Sequence, residues 1–156
     1  MPYFPSGDQV IRDWLRALNL DVDGVATTLP GDPSTWREKG FVQASLIGGS
    51  PDRYLPVMDG TVQIDCWANA GSKPPWNMAS AIAQTILQAT YNKALFNTEV
   101  TISEANFYPV HVSTVTALTI PLRIRSGFNV STQSEVSSGF ARYQFDALVR
   151  WTVPGT

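Results

Sequence analysis

The sequence predicts an α+β fold, a single domain over residues 1–156 whose mainly antiparallel sheet packs against two helices at about residues 7–20 and 77–94. Period-two alternation recurs in runs of neighbouring segments, which favours strands that pair with their sequence neighbours, and two stretches show helical spacing. The length of 156 residues suits one hydrophobic core rather than two.

The first helix rests on Val10, Ile11, Trp14, Leu15 and Leu18, spaced to share one face. Ser6 and Gln9 stand at capping-box spacing before it, and Arg12 and Arg16 fall on the side expected to face solvent. VATTL over 25–29 and FVQASLI over 41–47 are β-prone; Pro30 stops the first, and Gly48 and Gly49 are expected to stop the second. GGSPDRYLP then reads as a loop presenting Asp52, Arg53 and Tyr54.

In the strand over 57–68, Val62, Ile64, Cys66 and Ala68 fall on one face and Gln63, Asp65 and Trp67 on the other. Gly71, Pro74 and Pro75 interrupt any continuation, and Asn77 is a plausible N-cap for a helix whose stripe runs through Ile82, Ile86 and on to about Leu95. Val100 and Ile102 mark a further short strand. Over 113–125, Thr116, Leu118, Ile120, Leu122 and Ile124 alternate, with Pro121 signalling an edge or a bulge. The last strand is the clearest, with Ala141, Tyr143, Phe145, Ala147, Val149, Trp151 and Val153 in one phase. The polar stretch over 127–139 is expected to be a long loop that a partner orders.

Eleven basic and thirteen acidic side chains give a formal net charge of −2 with no block of like charge, which disfavours a basic patch wrapping nucleic acid. No apolar run approaches the about 18–20 residues that span a bilayer, and MPYFPSGDQVIRDW lacks a basic leader, so no signal peptide or membrane anchor is expected. The charged content of 15% is low and leaves surface for partners.

Candidate chemistry is sparse. One cysteine cannot form an intrachain disulfide, and Cys66 is in phase with the core, where a thiol is inert unless a base and an electropositive site accompany it. His111 is the only histidine, and no ligand spacing accompanies it, so no catalytic, metal or cofactor residues are assigned. IGGSPDR has two glycines but no lysine at phosphate-loop spacing and reads as a tight turn. Trp36 and Trp76 fall in expected loops, where a large aromatic either folds back on its own domain or anchors an interface. Arg123, Arg125, Arg142 and Arg150, with Asp146, project from polar strand faces.

Taken together, VIRDWLRAL, VATTLP, FVQASLIGG, VQIDCWA followed by an alanine-rich helix, and RYQFDALVRW resemble the tail terminator proteins of long-tailed bacteriophages. The resemblance covers most of the chain and implies a structural virion protein at the head-tail interface, made in the bacterial cytoplasm. Six copies would form a ring that caps the tail tube, ends its polymerisation and joins it to the head connector. It implies three protein partners: further copies of the chain, the major tail tube protein and the head-closure or connector protein. DNA would pass through the lumen without being read by sequence. A head-closure component of the same interface is the neighbouring alternative, and a small thiol hydrolase using Cys66, His111 and Asp65 is the remaining one. Partner-binding residues are expected in two loops and at one tryptophan: Asp52, Arg53 and Tyr54; Asn129, Ser131, Gln133 and Glu135; and Trp76.

Overall fold

A computed structural model describes residues 2–69, 75–124 and 140–154. Helix α1, Gly7–Ala17, starts at the capping box that its sequence encodes. The Ser6 hydroxyl accepts from the Gln9 N–H at 3.3 Å, and Gln9 Oε1 accepts from the Ser6 N–H at 2.9 Å, so two otherwise orphaned donors are satisfied. Val10, Ile11, Trp14 and Leu15 are fully buried, and Trp14 Nε1 donates to the Leu95 carbonyl at 3.0 Å.

Arg12 departs from the solvent-facing expectation, with a side chain only 11% exposed. Residues 103 and 104 lie over that side of α1. The buried carboxylate of Asp13 takes the Ser103 N–H at 3.1 Å and Arg12 Nη2 at 2.9 Å, while Arg12 also forks onto Glu104. Burying one charge there is tolerable because the opposite charge and its hydrogen bonds come with it. Arg16 does reach solvent, and its guanidinium donates to the Val25 carbonyl.

Seven strands form one sheet: β1 Gly24–Ala26, β2 Phe41–Pro51, β3 Val57–Asn69, β4 Thr98–Val100, β5 Val110–Ala117, β6 Leu122–Arg123 and β7 Phe140–Thr152. Their order is β1-β2-β3-β7-β5-β4, with β6 also on β7; β1 pairs with β2 in parallel and every other pair is antiparallel. The expected α+β class with a mainly antiparallel sheet is therefore the observed one.

On one face of the sheet, Val42, Ala44, Val62, Ile64, Cys66, Phe145, Ala147 and Val149 join α1 and helix α2, Pro75–Ala89, in a single core. The phases expected for β3 and β7 are the observed ones. Cys66 is fully buried, and burial pushes its thiol pKa up, away from the thiolate. On the other face Asp65 is the exception to a polar, half-exposed row: it is buried beneath Arg142.

Three expected boundaries fall elsewhere. The helix over 77–94 is two helices, because Thr90 and Tyr91 turn the chain and Asn92 caps a separate one-turn helix, α3 Lys93–Phe96. Asn77 is not a cap but the third residue of α2, which proline opens at its first position, where a missing N–H costs nothing. Gly48 and Gly49 do not end β2. Instead the ladder shifts register between Leu46 and Gly48 and continues to Pro51.

The largest difference lies at 113–125. The ladder on β7 breaks after Ala117, and Leu118, Ile120 and Leu122 are exposed rather than buried. Core contacts come from Val110, Val112 and Val115 instead, a phase that a second register shift between Val112 and Thr114 resets. Pro121 sits in the gap between β5 and β6, where no ladder donor is needed.

Candidate functional site

The outer ends of β2 and β3 form a hairpin whose connection, residues 52–56, stands clear of the helices. Asp52 orders it: Oδ1 accepts from the N–H groups of Tyr54 at 2.8 Å and Leu55 at 2.9 Å, and its own N–H donates to the Val57 carbonyl at 2.7 Å. Gly49 has φ +141° and a position where a Cβ would lie 2.2 Å from the Asp59 carbonyl, so the arm needs glycine there.

On this framed tip Tyr54 is 85% exposed and Leu55 62%, and the Arg53 guanidinium lies 5.8 Å from the Tyr54 ring centroid. The structure thus brings Asp52, Arg53 and Tyr54 together, in different roles. Asp52 shapes the turn; Arg53 and Tyr54 are what it displays. Leu55 belongs to the same exposed tip; Ile47, expected as part of the strand over 41–47, lies in β2 and is exposed as well.

Trp76 is not displayed. It occupies the first turn of α2, half-buried, in edge contact with Tyr143 at 6.1 Å between centroids, and Arg123 stacks 3.7 Å from its ring centroid. It therefore packs on its own chain. Trp36 does likewise: it is buried in a short 3-10 helix, Pro33–Trp36, over the polar face of the sheet between Trp67 and Phe140. Asn129, Ser131, Gln133 and Glu135, like Arg125, lie outside the described residues.

Across that polar face the arginines are engaged within the chain. Arg150 forks onto Asp59 at 2.7 and 3.0 Å, and Arg142 reaches Asp65 at 2.9 Å and Trp67 at 5.1 Å from the ring centroid. The Arg150 hydrogen bonds hold the Asp59 carboxyl below its ordinary pKa and raise that of Arg150. This face carries paired charges rather than a field of one sign.

Cys66 and His111 do not meet. Cys66 pairs across from Tyr143, and His111 from Thr152, nine residues farther along the same strand, about 30 Å at the usual rise per residue. His111 Nε2 is 2.7 Å from Asn97 Oδ1. Among the described residues no group of three or more His, Cys, Asp or Glu side chains is placed to hold a metal ion, and no helix is long and apolar enough to cross a membrane.

At the opposite end of β2 from the hairpin lies a cleft of about 520 Å³. Leu20, Val22, Met78, Ala81 and Ile82 give it an apolar floor, and Asp21, Glu38 and Lys39 form a charged rim. Lys39 and Asp21 pair at 3.2 Å. Sequence reading missed the cleft because it joins three segments, 20–22, 38–39 and 77–85, that are separated along the chain and each unremarkable by itself. Compared with known proteins, the chain matches no family model and no curated protein.

Proposed function

We infer that this chain is a structural protein of a phage tail, a tail terminator that works by forming a ring on the end of the tail tube. The observation that carries the reading is the hairpin tip. A built turn fixes an exposed Tyr54 and Leu55 on the end of a long strand pair, the kind of aromatic and aliphatic pair that anchors protein interfaces. A second exposed apolar set, Leu118, Ile120 and Leu122, offers another contact surface on the far side of the sheet. These are the surfaces of a protein that acts through shape and partners.

Two further observations support the reading. The separation of Cys66 from His111 removes the dyad that a thiol hydrolase would need. The net charge of −2 and the internally paired Arg142 and Arg150 suit a channel wall that lets DNA slide past, because free basic side chains would bind phosphate. In the proposed role, the partners are copies of the same chain, the tail tube protein and the head-side connector.

The test is electron microscopy of the protein alone and mixed with purified tail tubes, combined with loss of its gene in the phage. Rings seated on tube ends, and overlong tails when the gene is lost, are the expected results. Complete tails beside leaking heads would identify a head-closure protein instead, and a monomer that never associates with tubes would overturn both.

A further inference from the structure

The hairpin tip and the cleft lie at opposite ends of β2, one following Pro51 and the other flanked by Glu38 and Lys39 just before Phe41. Eleven residues of extended strand, about 35 Å, separate them, so a tip cannot enter the cleft of its own chain. Their surfaces are complementary. The tip offers Tyr54 and Leu55 with one cation, Arg53, which has no carboxylate partner among the described residues. The cleft offers an apolar floor around Met78 and Ile82 and, on its rim, Glu38, which has no cationic partner among them.

We propose that the hairpin tip of one copy docks in the cleft of the next, with Tyr54 and Leu55 against Met78 and Ile82 and Arg53 beside Glu38. Within the ring reading, on which it rests, this names the surfaces that join neighbouring copies. Because tip and cleft are different patches, the contact is heterologous and repeats head to tail, closing into a ring when the rotation per copy allows it. The apolar pair supplies most of the affinity, and the rim charges set the orientation. A displayed apolar tip and an unfilled apolar cleft on one molecule are thereby both accounted for by a second copy of the same chain.

The chain's one cysteine is fully buried, which makes introduced cysteines a clean probe. Chains carrying both Arg53→Cys and Glu38→Cys, oxidised with copper phenanthroline at a concentration where the wild type associates, should cross-link into a ladder ending in a closed species. Either single variant should stop at dimers. In parallel, Tyr54→Ala and the cleft-filling Ala81→Arg should each weaken association at least tenfold by sedimentation velocity, with unchanged circular dichroism melting. Both positions are solvent-exposed, so neither change needs to disturb the core.

The outcomes separate. Rings by native mass spectrometry with no ladder and no effect of either variant overturn this contact and leave the ring reading standing. A ladder that grows without closing supports the contact and counts against the ring. A wild type that stays monomeric, together with a double-cysteine chain that gives no ladder, overturns the contact.

Discussion

The two halves of the β2–β3 ladder share one backbone pattern and differ in what lies on them. From Phe41 to Leu46 the strand is paired with β3, its Val42 and Ala44 are buried in the core, and the first turn of α1 meets it where the Asp8 carboxylate accepts the Leu46 N–H. Beyond the register shift, from Gly48 to Pro51, the same ladder continues with every β2 residue exposed. The contrast teaches that strand formation and burial are set separately. Main-chain pairing carries the strand as far as its partner runs, whereas burial stops where the helices stop. The uncovered half keeps its β2 side chains exposed.

Breaking the covered half should have the largest effect. Trp14→Ala removes the largest buried side chain of α1 and its bond to the Leu95 carbonyl, and should cost about 3–5 kcal/mol in urea unfolding. In the uncovered half, Gly49→Ala forces a Cβ against the Asp59 carbonyl at a φ that side chains avoid, and should cost about 1–3 kcal/mol. If Gly49→Ala leaves the unfolding midpoint unchanged, the arm beyond the register shift is uncoupled from the folding of the body.

A gentler lever acts where α1, which packs on the covered half, is tied to residues 103 and 104. Hydrogen bonds from Arg12 lower the Glu104 carboxyl from its ordinary 4.5 to about 2. A carboxyl with a lowered folded pKa stabilises the fold above its unfolded value, and that contribution fades as pH falls from about 4.5 towards 2. Glu104→Gln should therefore flatten the pH dependence of thermal unfolding within that window while the wild type declines through it. Smallest of all, Tyr54→Ala should change stability by no more than about 0.5 kcal/mol, since an exposed side chain at a tip has little packing to lose. A larger loss would mean that the tip is held against the body rather than offered outward.

What the sequence made legible were features decided locally. Ser6 and Gln9 write the start of α1 because a capping box needs two side chains at fixed spacing. Cys66 announces its burial because alternation on a strand fixes the face. Alternation does not say how far a ladder extends, and this is why Leu118, Ile120 and Leu122 misled: they keep the period, but the chain leaves β7 after Ala117. Gly48 and Gly49 misled in the opposite sense, since a register shift can carry glycine through a strand. For the candidate site, Asp52 and Tyr54 were readable as a polar turn with an aromatic. The cleft was not, because only tertiary packing brings Val22, Glu38 and Met78 together.

One feature bears on mechanics. β3 is paired with β2 on one side and, along all thirteen of its residues, with β7 on the other. A pull on the hairpin tip along the strand axis draws β2 and β3 together and loads the β3–β7 ladder in shear, so that many hydrogen bonds resist together instead of opening one after another. An arm built this way transmits tension into the centre of the sheet.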